Sequence, residues 1–285
     1  MSDRADDLAR ARAFDRRLTE RLSTDVVPFD GGVAYLDRDF PRRFAANFLW
    51  VDDAGTAPVE HWIREADRIL GGDGLRHRKV VFHEPTATER MAFGFAEHGY
   101  VLDRGVLMVQ RDEPERVHDV ARVEEIAFEE ARPLIEEATR RAPWATDDET
   151  ARMLTDYRGK LARTIGARFF MARIDGRPAG CCELYVDGDE AQVESVDTLQ
   201  EFRGRGLASA FVLRAAAEGR AAGAEWVHLW ADADDWPQQW YARLGFREAA
   251  RAVDFMRWPE GEGPTGKTTL IGTPRSTGPA AKSPA

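Results

Sequence analysis

The residues best suited to chemistry form a short glycine-rich loop in the second half of the chain. The loop reads Arg203-Gly204-Arg205-Gly206-Leu207-Ala208-Ser209 and separates a strand-like run from a run with the apolar spacing of a helix. A helix N-terminus carries unpaired N–H groups and a positive dipole end, so it can bind a pyrophosphate. Glycine lets the backbone approach the phosphates, and the arginines add positive charge. The loop therefore predicts an anion site.

Two other phosphate-binding motifs fail on their context. A dinucleotide loop has the pattern GxGxxG in the first βαβ unit, whereas here Ser209 stands where the third glycine belongs and a β-meander comes before the loop. Residues 261–268 match the Walker A pattern GxxxxGK[ST], but the glycines and prolines that follow cannot form the helix that this motif requires. We expect residues 259–285 to be a disordered tail.

Composition narrows the possible classes of protein. A formal net charge of −10 disfavours a nucleic-acid partner. The adjacent Cys181 and Cys182 would point to opposite faces of a strand, which predicts packing residues rather than a disulfide, and the six histidines form no metal cluster. No apolar run approaches the roughly 20 residues of a membrane span, and the N-terminus is charged. We expect a cytoplasmic protein that binds no membrane, nucleic acid or metal.

Hydrophobic periodicity predicts two consecutive α/β units, divided at the polar, proline-containing residues 112–115. The predicted domains are residues 1–112 and 116–258. In the first unit we expect helices over 3–22, 58–70 and 85–98, and strands over 32–36, 47–51, 79–82 and 100–109. In the second unit we expect helices over 128–141, 147–165, 206–222 and 237–244, and strands over 168–174, 178–186, 191–199 and 225–230. A final strand is expected to end near residue 258.

The second unit resembles the GNAT superfamily of N-acetyltransferases. The diagnostic [QR]xxGx[GA] loop of that family is matched by Arg203, Gly206 and Ala208, and its YxxxGF segment by residues 241–246. The resemblance covers residues 120–258. It implies a mixed, mostly antiparallel twisted sheet flanked by helices, acetyl-CoA as co-substrate, and transfer of the acetyl group to a primary amine of a small molecule or peptide.

The resemblance also implies roles for individual residues. Tyr241 would donate a proton to the leaving thiolate. Main-chain groups of Asp197, Thr198 and Leu199 would hold the thioester carbonyl and the pantetheine arm. The sequence departs from the family at Asp234, where the family often has asparagine, and just before the loop, where glutamine replaces a common proline.

A proton acceptor is needed as well, because a free alkylammonium has a pKa of about 10.4. The family often uses a carboxylate on its fourth strand, and Glu194 occupies a matching position, with Glu190 and Asp197 as alternatives. On a regular strand Glu194 and Asp197 face opposite ways, so both can face the acetyl group only if the strand bulges.

The substrate side is marked by carboxylates among aromatic residues. These are Asp232, Asp234 and Asp235, near Trp230, Trp236 and Trp240. Such a group suits a cationic amine. Capping of the helix that starts at residue 237 explains the same aspartates equally well.

An internal repeat links the two units. Residues 95–100 align with residues 241–246, and each segment is followed by a strand of similar length. The first copy has Phe95 in place of the tyrosine and lacks the glycine loop. The first unit therefore resembles a degenerate GNAT-like half. We expect it to form part of the wall of the substrate cleft in the second unit. A non-catalytic acyl-CoA sensor is the alternative function, and it would need the loop but not Tyr241.

Overall fold

The computed structural model describes residues 2–142, 147–233 and 237–260. Its helices are α1 (Ser2–Leu22), α2 (Val59–Ala66), α3 (Pro85–Glu97), α4 (Phe128–Arg140), α5 (Asp148–Ile165), α6 (Leu207–Ala221) and α7 (Pro237–Arg243). Its strands are β1 (Asp25–Phe29), β2 (Gly32–Leu36), β3 (Phe48–Val51), β4 (Arg78–Phe82), β5 (Val101–Gln110), β6 (Val123–Ile126), β7 (Arg168–Ile174), β8 (Arg177–Asp187), β9 (Glu190–Thr198), β10 (Trp226–Asp232) and β11 (Phe246–Arg257).

Local sequence explains where several of these elements begin and end. The Asp147 side chain accepts a hydrogen bond from the Thr150 N–H and caps α5, and Gly166, at φ +69°, ends the same helix in the left-handed region. Helix α1 buries Phe14, Leu18 and Leu22 on one face, as their helical spacing predicts.

The eleven described strands form one sheet, in the order β1-β2-β3-β4-β11-β5-β10-β9-β8-β7-β6. Strand β11, the last of the described strands, lies between β4 and β5, and β5 lies between β11 and β10. Each half of the chain therefore gives its final strand to the sheet of the other. The predicted mixed, mostly antiparallel sheet flanked by helices is confirmed. The boundary at residues 112–115 lies between β5 and β6, and the assignment of domains 1–112 and 116–258 stays a prediction.

Strand β11 carries a residue of the first half's core. Phe255 is 0% exposed, stacks on Phe95 with ring centroids 4.2 Å apart and meets Phe82 edge-on at 5.9 Å. We expect Phe255→Ala to lower the free energy of unfolding by about 3–5 kcal/mol, because it removes a fully buried ring. Because the sheet is shared, chemical denaturation should remain one transition for probes in both halves. Phe93→Ala, at a ring that is 75% exposed, is the control. Separate transitions for the two halves would contradict a shared sheet.

The sequence-based assignment missed two short strands. Strand β1 contains a proline and alternates half-buried with exposed residues, and β6 has only four residues, two of them exposed glutamates. Both are outer strands of the sheet, where burial on a single face leaves a weak periodic signal. A 3-10 turn over Gln200–Phe202 was also missed.

The two cysteines are packing residues, as predicted. Cys181 and Cys182 are unbonded and buried, and burial raises the pKa of the Cys181 thiol to about 12. Over the described ranges, His, Cys, Asp and Glu side chains form no group suited to a metal ion. No helix in the described part of the chain combines the length and apolar character of a membrane span. The tail at 261–285, including the Walker A match, lies outside the described residues.

Candidate active site

Strands β9 and β10 separate in the middle of the sheet. They pair in parallel at only three positions, from Trp226 opposite Glu190 to His228 opposite Gln192. Beyond those positions β9 continues to Thr198 and β10 to Asp232. Within the described residues, the last residues of the two strands therefore diverge and form a wedge. The backbone groups that face each other across this wedge form no hydrogen bonds between the two strands. A wedge of this kind can receive an extended chain with amide groups of its own.

A β-bulge lies where the wedge begins. Glu194 pairs with Glu183 and Asp197 with Cys181, so β9 has one more residue than β8 between these pairs. Ser195 accommodates it in the left-handed region, at φ +55°. Residues opposite each other across a ladder share a face, and Glu183 and Cys181 are two positions apart. The bulge therefore places Glu194 and Asp197 on the same face of the sheet, the exception that the sequence left open.

Glu194 is 8% exposed, and its carboxylate accepts hydrogen bonds from Gln192 Nε2 at 2.7 Å and from the Ser195 N–H at 3.2 Å. Burial raises the pKa of Glu194 to about 7, against the opposing positive charges of Arg158 and Arg43. A carboxyl with a pKa near neutrality can both accept and release a proton there.

The two alternative carboxylates lie in different surroundings. Burial raises the pKa of Asp197 to about 6, opposed by Arg158 and Arg203. Glu190 lies at the start of β9, where it forms salt bridges with Arg10 and Arg17 of α1. Glu190 thus holds α1 on the sheet, while the other two carboxylates lie at the wedge.

The glycine loop adopts the backbone that its sequence predicts. Gly204 and Gly206 lie in the left-handed region at φ +75° and +73°, and Gly206 is the N-cap of α6. The first backbone hydrogen bond of α6 runs from the Ala210 N–H to the Gly206 carbonyl at 3.1 Å. The N–H groups of residues 207–209 therefore point out of the helix N-terminus, as an anion site requires.

Arginines surround this helix end. Arg203 Nε donates to the Thr198 carbonyl oxygen at 3.1 Å, which ties the loop to the end of β9. Arg122 Nη2 donates to the Arg205 carbonyl oxygen at 2.8 Å. Sequence reasoning missed Arg122, which lies 83 positions before Arg205 and in no motif. The Leu207 side chain is buried in the core, so its backbone rather than its side chain faces the site.

Tyr241 lies in the core beside the wedge. It is 5% exposed, and its ring centroid is 4.6 Å from that of Trp240. Burial raises the pKa of Tyr241, and the negative charge of Glu194 raises it further, so the hydroxyl keeps its proton at neutral pH. Trp240 Nε1 donates to Ser209 Oγ at 3.0 Å. The Ser209 side chain therefore fastens α7 to α6.

A cavity of about 230 Å³ lies between the sheet and helices α1 and α5, and Glu194 lines it. Both halves of the chain form its wall. Its polar and aromatic lining consists of Arg12, Asp15, Thr19, Arg43, Phe48, Trp50, Lys79, Asp103, Tyr157, Tyr185, Gln192, Glu194, Trp230 and Asp254. Arg12 and Lys79 both bind Asp254, at 3.2 and 3.1 Å. Burial raises the pKa of Asp15 to about 7.

Only part of the proposed substrate side falls within the described residues. Trp230 lines the cavity, and the backbone carbonyl oxygens of Asp232 and Ala233 accept hydrogen bonds from Gln238 Nε2 at 3.1 and 2.9 Å. Residues 234–236 lie outside the described residues, so their role stays a prediction.

Comparison with known proteins agrees with this geometry. Residues 123–246 match the model of the acetyltransferase (GNAT) family. No functionally curated protein sequence matches the chain. Residues 123–246 are therefore a GNAT-family domain, as the loop and the YxxxGF segment predicted.

Three solved structures share the fold at low sequence identity. A functionally unknown conserved protein from Staphylococcus epidermidis ATCC 12228 has a TM-score of 0.61 at 16% identity, over 82% of this chain and 94% of that one. A GCN5-related N-acetyltransferase from Kribbella flavida has a TM-score of 0.57 at 21% identity, over 87% and 95%. A tandem GNAT protein from the clavulanic acid biosynthesis pathway has a TM-score of 0.51 at 16% identity, over 82% and 80%. One of the structures that share this fold is thus a tandem GNAT protein, which agrees with the internal repeat in the sequence.

Proposed function

We propose that this protein transfers the acetyl group of acetyl-CoA to a primary amine. The observation that carries the proposal is the position of three features relative to β9. The loop before α6 is tied to the end of β9 by Arg203, Glu194 lies on β9, and Tyr241 is near enough to Glu194 for that negative charge to raise its pKa. The α6 terminus and its arginines suit the pyrophosphate of the co-substrate. The wedge between β9 and β10 suits the amide-bearing pantetheine arm, with the backbone of residues 197–199 along it.

The residues at the wedge can divide the proton transfers between them. Bound acetyl-CoA supplies an activated thioester carbonyl. Glu194 accepts the proton that the amine must lose as its nitrogen bonds to that carbon. Tyr241 gives the proton of its hydroxyl to the sulfur as the C–S bond breaks, and regains one from solvent. Asp197 is the alternative proton acceptor, since the bulge turns it to the same face.

The first half of the chain forms part of the wall of the acceptor site in this proposal. Arg43, Trp50 and Lys79 line the cavity from the first half, and α1 covers it with Arg12 and Asp15. This arrangement supports a first unit that has lost the loop but kept a structural role.

The proposal is tested by titrating acetyl-CoA into the protein in a calorimeter. We expect binding in the wild type and a loss of at least about 100-fold in Gly206→Glu, because a side chain strains a residue at φ +73° and a carboxylate repels the pyrophosphate. The matched control is Gly223→Glu, at the other end of α6, where φ is +103° and the added Cβ meets no atom within 4 Å. A wild type that does not bind acetyl-CoA would contradict the proposal, as would equal affinity in Gly206→Glu. Binding would be followed by a thiol-release assay on a panel of amines.

A further inference from the structure

The cations that line the cavity differ in their partners. Arg12 and Lys79 share the carboxylate of Asp254. Arg43 forms no salt bridge with any carboxylate in the described ranges. Its guanidinium lies 5.1 Å from the centroid of the Tyr157 ring, and its Nε is buried with no hydrogen-bond acceptor among those residues. A partly buried cation without a counter-ion is costly, so this position favours an anion from outside the chain.

Two buried carboxylates, those of Asp37 and Glu183, are already neutralised by other cations. Asp37 pairs with Lys160 at 2.7 Å, and Glu183 pairs with Arg158. Their charges are therefore matched inside the fold.

Glu194 is the corresponding acid without a salt bridge. Across the described residues its carboxylate accepts hydrogen bonds from Gln192 and Ser195, both neutral donors. The positive charges of Arg158 and, to a smaller extent, Arg43 oppose the rise in the pKa of Glu194 and that of Tyr185. A single cavity thus presents the Arg43 guanidinium and the Glu194 carboxyl, neither of which forms a salt bridge within the described residues.

A small ligand with both an amine and a carboxylate would fit this pair. Its carboxylate can accept two parallel N–H bonds from a guanidinium, which an alcohol or a second amine cannot do. Its amine would then be directed toward Glu194. The cavity volume of about 230 Å³ suits a small molecule.

We propose that the acceptor is a small amino acid whose carboxylate is bound by Arg43 while its amine faces Glu194. This inference rests on the proposed acetyl transfer and specifies its acceptor. Arg43 would be a specificity-determining residue, which binds the acceptor at a distance from the reacting nitrogen.

The test compares amino acids with the amines that remain when their carboxylate is removed. The pairs are glycine with methylamine, β-alanine with ethylamine, phenylalanine with phenethylamine, and lysine with cadaverine. Each is measured by the rate of thiol release from acetyl-CoA and, independently, by calorimetric binding. The variants are Arg43→Met and Arg43→Lys. The matched control is Arg42→Met, since Arg42 precedes Arg43 but binds Asp147 instead.

In the wild type we expect the better acids to exceed their amines by about 30- to 100-fold in kcat/KM, as two charge-assisted hydrogen bonds would give. Arg43→Met should abolish this ratio, and Arg43→Lys should restore part of it. Arg42→Met should keep the ratio. A merely structural role for Arg43 would instead lower both rates together.

Two results would overturn the inference. One is a wild type that prefers amines or the diamine over every acid, and the other is an Arg43→Met variant that keeps the preference for acids. If no amine is acetylated at all, the proposed transfer fails, yet binding still decides the role of Arg43. Tighter binding of acids than amines that is lost in Arg43→Met supports it, and the absence of that difference contradicts it.

Discussion

Tyr241→Phe is expected to lower kcat by about 100-fold or more, which is the usual contribution of a well-placed general acid. The variant keeps the aromatic ring that contacts Trp240 and Phe246 and loses only the hydroxyl. Affinity for acetyl-CoA should therefore stay within about twofold, because the loop and wedge are unchanged. Steady-state thiol release gives kcat, and calorimetry gives the affinity.

Tyr100→Phe is the matched control for this prediction. Tyr100 is also buried and packs on an aromatic neighbour, Phe95, but it belongs to the core of the first half. We expect it to leave kcat unchanged. An unchanged kcat in Tyr241→Phe would show that another group protonates the thiolate. Acetyl-CoA binding without transfer to any amine would favour a sensor over an enzyme.

The parts of the site that could be predicted from sequence are those fixed by local geometry. Gly204 and Gly206 are glycines in the left-handed region, and the helix that follows them begins within one residue of its predicted start. A loop, a helix terminus and an amphipathic stripe are each determined by neighbouring residues. They leave a signal at fixed spacing along the chain.

The rest of the site depends on contacts between distant segments. Arg43 reaches the cavity because the two halves share a sheet, and Asp15 because α1 crosses that sheet. No periodicity encodes the insertion of β11 between β4 and β5. The bulge at Ser195 is similar, since an extra residue in a ladder is visible only when both strands are aligned. Sequence could therefore name Glu194 and Asp197 as candidates, and the register was needed to place them on one face.

Glu194→Gln is expected to lower kcat/KM by about 100- to 1,000-fold and to change its dependence on pH. In the wild type, kcat/KM should rise with pH through about 7, where Glu194 loses its proton and becomes able to accept one. Glutamine has a similar shape but cannot titrate, so the rise centred on pH 7 should disappear. The residual rate should instead increase with the small fraction of neutral amine, whose conjugate acid has a pKa of about 10.4. Rates between pH 5.5 and 8.5 with a saturating acetyl-CoA concentration provide the test. If Asp197→Asn removes the rise instead, Asp197 is the proton acceptor.

The same substitution should stabilise the fold at high pH, and the sign follows from the direction of the pKa change. Folding raises the pKa of Glu194 from 4.5 to about 7, so the folded protein holds a proton that the unfolded chain releases. The stabilisation of the fold by this retained proton is complete below pH 4.5 and is lost as the pH rises through about 7. Glu194→Gln should thus gain about 1–3 kcal/mol over the wild type between pH 5 and pH 8. Denaturant unfolding at both pH values measures the gain.

Equal pH dependence in the two proteins would mean that Glu194 is solvated in the fold, and it would remove the reason for a pKa suited to catalysis. A glutamate at position 194 makes the folded protein less stable once its carboxyl ionises. Such a cost in stability is expected if the ionised carboxylate serves proton transfer.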